Sequence, residues 1–294
     1  EIELIFGNEV LYKVNEVILP DDGIFIVENK FILKNIFYLA HSFFINYLRL
    51  FILILFYFII GFPIVNFIKN KFDLITLFVV SVLSGYCLFT LLVSSISYFF
   101  NIKVVMIISL LLILFLYLLQ LFTKKINRNI FDYFFKQKGM INDLVLLFSI
   151  STFSIIIFFL PSFIENNWFL GHSLTDSFYY TNFSTISLND NSLLKSNAMI
   201  RILDMVTLVV NSFLLFSDTK STYSITASFL FYLLPFISYI FIRRFFNIGI
   251  FNLFAVLLIS LTANTYSIFS QSYLGQYLFV IIFIYSILIS YIFF

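Results

Sequence analysis

Charge is what this sequence lacks most. Lys and Arg number 17 and Asp and Glu 15, 11% of 294 residues, where a soluble domain carries about a quarter. Water is therefore excluded as the main solvent of the fold. Cysteine is almost absent. The lone Cys87 lies inside an apolar run, so no internal disulfide can form and the redox compartment is not readable. Histidine occurs twice, which leaves no histidine cluster to bind a metal. The net charge of +2 gives no footing for a nucleic-acid partner, and none is expected. No internal repeat or low-complexity linker interrupts the chain. No initiator Met opens it, no signal-peptide pattern precedes Glu1, and the last apolar run stops at Phe294, so it reads as an excerpt of a longer protein.

What is abundant is apolar. Hydrophobic residues make up 62% and mean hydropathy is +1.05. The 44 Phe and 18 Tyr are read as the codon bias of an AT-rich genome rather than as an aromatic binding surface. Apolar runs of about 20 residues, the length that crosses a hydrocarbon core, recur at 47–68, 74–100, 104–122, 144–164, 223–242, 248–269 and 273–294. The expectation is an all-α, polytopic bundle of about seven membrane spans. Pro63, Pro161 and Pro235 fall within or at the ends of these spans, which lipid-embedded helices tolerate when neighbours re-satisfy the freed carbonyls.

Residues 1–37 differ. Short alternating stretches around Pro20-Asp21-Asp22-Gly23 predict strands or hairpins, the end of a small β-rich segment outside the cytoplasm. Residues 38–143 then form a three-span region and 144–294 a second membrane module, with its outer loop over 165–222. Lys69 and Lys71 in one loop, and Lys124, Lys125, Arg128, Lys136 and Lys138 in another, put both in the cytoplasm by the positive-inside rule. The stretch 199–216 is short for a span and contains Asp204, expensive at mid-membrane. If it crossed, Arg243 and Arg244 would lie outside. If it lies on or dips into the outer face, they fall in the cytoplasm, and that arrangement is adopted. Apart from Asp204 and Arg49, the spans are almost free of charge, and the polar Gln120 and Asn211 are too few to define a path.

One outer segment, 165–197, is long and polar, and gathers Trp168, His172, Asp176, Tyr179, Tyr180 and Asp190. Ser173-Leu174-Thr175-Asp176 has capping-box spacing. A helix starting there places Asp176, Tyr179, Tyr180 and Phe183 on one side, with an acid at a helix mouth just above the membrane. Capping carboxylates are most often structural. Asn182-Phe183-Ser184 fits a glycosylation sequon, a frequent chance match, and Glu165 is read as a solvated boundary residue.

Asp176-Ser177-Phe178-Tyr179-Tyr180, with Asn182 after it, the 199–216 segment, the span ending in Arg243-Arg244 and the turn at 264–280 together resemble the GT-C class of integral-membrane glycosyltransferases, in particular the polyprenyl-phosphate-sugar-dependent protein mannosyltransferases. The resemblance covers about 144–294. It implies transfer of a sugar from a lipid-linked donor, with membrane lipids around the site. Asp176 would be general base, and Asp190 a second catalytic acid that orients the acceptor or helps hold a divalent cation. His172, Tyr179, Tyr180, Lys195 and Arg201 would bind substrate, the two cations meeting the lipid phosphate. Three spans precede the loop where many relatives have one, and an adjacent acidic pair is missing. The location implied is a bacterial inner membrane. Two other classes remain open. Thr185-Ile186-Ser187-Leu188-Asn189-Asp190 stands where a potassium-channel filter would, with Ser187 and Asn189 at the glycine positions. A transporter or assembly subunit would instead need ionisable residues along a mid-membrane path.

Overall fold

The computed structural model describes residues 2–6, 9–14, 29–66, 72–97, 99–122, 138–165, 182–189, 202–245 and 249–261, and single positions beyond. Strands β1 (Ile2–Phe6) and β2 (Glu9–Val14) pair antiparallel, with a register shift between Leu4 and Ile5. The helices are α1 (Asn29–Val65), α2 (Leu74–Ser97), α3 (Ile102–Phe122), α4 (Lys138–Glu165), α5 (182–189), α6 (Ile202–Leu215), α7 (Thr219–Phe245) and α8 (Gly249–Leu261). The β-like segment expected through residue 37 therefore stops earlier, because the chain is helical from Asn29. Ile32/Ile36 and Leu33/Phe37 repeat at the four-residue helical spacing, and a helix already nucleated in α1 extends at little cost.

Among the described residues five helices are long and apolar enough to cross a membrane: Ala40–Val65, Leu74–Ser97, Ile102–Gln120, Ile141–Leu160 and Ser221–Arg243. The chain is an integral, multi-pass membrane protein. The two further spans expected near the end are not established: 248–269 is described only as the 13-residue α8, and 273–294 only at scattered positions.

Apolar contact drives little association in lipid, where tails are as apolar as leucine, so close packing and hydrogen bonds must hold the bundle. The closest packing lies between α1 and α2. A Cβ placed on Gly61 would stand 1.9 Å from the Ser81 carbonyl oxygen, and one on Gly85 would stand 1.9 Å from the Tyr57 carbonyl oxygen. The two backbones touch, and only glycine permits that. Beside this contact Tyr57, Tyr86 and Phe229 pack their rings at centroid distances of 5.1, 5.5 and 5.2 Å, which brings α7 onto the α1–α2 pair.

The prolines are handled as lipid requires. Pro63 has no N–H, so the carbonyl of Ile59 loses its partner within α1; the Tyr117 hydroxyl of α3 donates to it instead. Gln120 adds a bond from its amide nitrogen to the Pro63 carbonyl at 2.5 Å and accepts one from Asn66 at 3.3 Å. These bonds fasten α3, whose other faces carry exposed Ile107, Leu111, Leu114, Phe115 and Leu118.

One face of the bundle is fixed by charge. Asp73 caps α2 through Oδ1, which accepts from the Thr76 N–H at 2.7 Å, while its Oδ2 pairs with Arg243 at 3.2 Å. Tyr239 of α7 donates to Asp143 at the start of α4. The start of α2, the start of α4 and the end of α7 therefore share one side, and the end of α4 and the start of α7 share the other.

On propensity alone, Gly→Ala in a helix stabilises by about 1 kcal/mol. At Gly61 and Gly85 the sign reverses: Gly61→Ala and Gly85→Ala are each expected to destabilise by about 1–3 kcal/mol, read as a lowered midpoint of thermal unfolding in detergent. An unchanged or raised midpoint would refute the backbone contact.

Candidate functional site

The polar segment after α4 is the candidate region. Its residues His172, Asp176, Tyr179, Tyr180, Asp190, Lys195 and Arg201 lie outside the described residues, as does Trp168, so the structure neither assembles nor separates them. What it does describe is the frame on which the segment hangs.

The frame begins at the last turn of α4. A helix end leaves its final carbonyls without partners, and Phe163 presents one of them. Ser42 donates its hydroxyl to the Phe163 oxygen at 3.2 Å and Asn46 its amide nitrogen at 2.6 Å, both from α1. Asn46 is buried, and its own oxygen accepts from Arg49 at 3.4 Å. In the middle of the segment stands α5. Ser184 and Ser187 are buried, Leu188 packs on the core, and Thr185 shares a 2.6 Å bond with Thr219 at the start of α7. The Ser187 hydroxyl is buried with no partner among the described residues.

The frame closes at the α6–α7 hairpin. The Ser217 N–H donates to the Ser212 carbonyl at 3.1 Å and that of Phe216 to Phe213 at 3.3 Å, the double bond of a Schellman C-cap. Phe216 takes the left-handed position that glycine usually fills, at φ 49°, with its ring 94% exposed. Asp218 then caps α7, accepting from the Ser221 N–H at 2.6 Å and the Ser221 hydroxyl at 3.1 Å.

From this turn α6 dips into the bundle rather than lying on its surface. It has 14 residues, about 21 Å at 1.5 Å per residue, short of the roughly 30 Å core. Val206 to Asn211 are buried. Asn211 accepts from the Tyr57 hydroxyl at 2.5 Å and donates to Thr226 at 2.9 Å, and Tyr86 donates to Thr207 at 3.3 Å. The two polar span residues Gln120 and Asn211 are both helix-to-helix locks. A second set lies between α1, α4 and α7, where the Tyr47 hydroxyl meets Thr152 at 2.6 Å and Tyr232 at 3.2 Å. An aromatic cleft of about 320 Å³ over Tyr47, Phe148 and Tyr232 opens beside it.

Among the described residues no three His, Cys, Asp or Glu stand together as metal ligands. The acids proposed to help hold a divalent cation are outside them.

The pairing of Asp73 with Arg243 predicts the topology directly. With the lone Cys87 buried, thiols introduced by Ser217→Cys and Lys103→Cys should label with an impermeant reagent from one side, and Asn142→Cys only from the other. Labelling of Ser217→Cys and Asn142→Cys from the same side would overturn the arrangement. Comparison with protein-family models, with curated proteins and with solved structures found no match to this chain.

Proposed function

We propose that this chain is a membrane glycosyltransferase of the GT-C kind, which moves a sugar from a polyprenyl-phosphate donor to an acceptor at the outer face. The supporting observation is where the polar segment 165–197 is moored. It leaves the end of α4 on the side away from Asp73 and Arg243, and α5 within it is bonded to the first residue of α7 on that same side. A catalytic loop held in this way stays at the water–lipid boundary, where a lipid-linked sugar arrives sideways and an acceptor from water.

In this reading Asp176 takes the proton of the acceptor hydroxyl as that oxygen bonds to the anomeric carbon. The bond from that carbon to the phosphate oxygen breaks, and polyprenyl phosphate leaves with the electron pair. Asp190 orients the acceptor or helps hold a divalent cation. Lys195 meets the phosphate, while His172, Tyr179 and Tyr180 line the sugar site. Seven spans, a β-rich segment on the outer side and a bacterial inner membrane complete the proposal.

The half-depth helix α6 favours one other reading, a transporter, because broken helices that end at mid-membrane line substrate sites in that class. Its polar side chains weigh the other way, since Asn211 is paired at both ends. A channel reading has less support. The stretch from Thr185 to Asn189 is helical, whereas a filter needs extended carbonyls aimed at the ion.

The test is transfer from a polyprenyl-phosphate sugar by purified protein. Asp176→Asn should lower the rate by about a hundredfold or more, the usual contribution of a general base, with unchanged yield and unfolding midpoint. Full activity in that variant would remove Asp176 from the mechanism. Sugar-driven counterflow in vesicles without any transfer would favour the transporter.

A further inference from the structure

Arg49 is a charged residue inside a membrane span that the proposed chemistry does not use. It lies nine residues into the Ala40–Val65 span, half-buried, on a helix whose neighbouring Leu48 and Ile52 are exposed on the apolar surface. Such a charge is retained in lipid only where something meets it. Its recorded contact is Nη1 to the uncharged Asn46 oxygen at 3.4 Å. A guanidinium has five N–H donors in a planar fork, so most of its hydrogen-bonding capacity is uncommitted among the described residues. Of the carboxylates whose side chains are described, Asp73, Asp143 and Asp218 are engaged elsewhere, with Arg243, Tyr239 and Ser221.

The direction of the side chain is also set. Helical side chains lean toward the N-terminus, and the contact three residues back, to Asn46, shows that lean. The N-terminal end of α1 is the end that meets the last turn of α4, so the fork points toward the headgroup layer on that side. Asn46 cannot swing away, because it is buried and its nitrogen holds the Phe163 carbonyl. Arg49 is thus a preset fork at the α1–α4 junction, with lipid beside it and its head directed up toward the headgroup layer, where phosphate is the dominant anion.

We propose that Arg49 binds the phosphate of a lipid in this leaflet through its free N–H fork. The shared chemistry is an anionic phosphate ester on an apolar tail, which fits either a bilayer phospholipid or an isoprenoid phosphate. Planar bidentate recognition of phosphate is what distinguishes arginine from lysine. The site stands whether or not the chain transfers sugar, because it is read by binding alone.

The experiment is native mass spectrometry of the delipidated protein in detergent, titrated separately with phosphatidylglycerol, farnesyl phosphate and, as a tail without phosphate, dioleoylglycerol. Wild type should retain one or both phosphates and not dioleoylglycerol. Arg49→Gln, which keeps a donor for Asn46, should weaken retention about tenfold, and Arg49→Lys by less. Which of the two phosphates is lost names the source. Arg243→Gln, on the opposite face, serves as the control for charge and folding and should bind as wild type does. Equal retention by Arg49→Gln, an equal loss in Arg243→Gln, or displacement of the lipid by equimolar inorganic phosphate would each overturn the proposal.

Discussion

The bundle depends on two backbones in contact. Gly61 and Gly85 let α1 and α2 approach until carbonyl oxygens stand where any other residue would place a methyl group. In water such a contact would be one packing detail among many. In lipid, where apolar side chains gain nothing by leaving their solvent, close approach is a main source of attraction. It also sets the positions of everything nearby. Tyr57 lends its carbonyl to the contact and Tyr86 follows Gly85 directly, and their hydroxyls reach Asn211 and Thr207. The placement of α6 follows from the spacing of α1 and α2.

The polar residues within the membrane then divide by role. Asn211, Gln120, Tyr117 and Tyr47 each bond a neighbouring helix. Each removes an exposed donor or acceptor from lipid, and each fixes one helix against another. Tyr117 goes further and repairs the gap that Pro63 leaves in α1. Arg49 departs from this pattern. It supports Asn46, which supports the end of α4, yet a single 3.4 Å contact to an amide leaves its charge unneutralised within the described structure.

Much of the framework was legible in the sequence because hydropathy over 20 residues is a strong signal. The five described spans stand where the apolar runs predicted. The error at 29–37 has a local cause. Phe31, Ile32 and Leu33 give a short apolar run that periodicity cannot assign to helix or strand, and the helix that follows decides it. Arg243 and Arg244 pointed to the side on which α7 ends, and the bond to Asp73 gives that inference a partner 170 residues away that no local pattern announces. The Gly61–Gly85 contact was not foreseen, since single glycines in two spans do not reveal that they face each other. Of the candidate site, only the residue types are legible along the chain. Whether Asp176 stands over a hollow depends on how the segment folds back across the bundle, which spacing along the chain does not encode.

The α6–α7 turn has a consequence for depth. Phe216 in its left-handed conformation and Asp218 at the cap join the two helices through residues 216–218, so neither can slide past the other. The far end of α7 is tied to Asp73. The distance from that tie to the hairpin is therefore a ruler, and α6 hangs from its upper mark. Removing one turn of α7 would lower the hairpin by about 5 Å and carry Asn211 out of reach of the Tyr57 hydroxyl. The length of one helix thus decides at what level another keeps its amide.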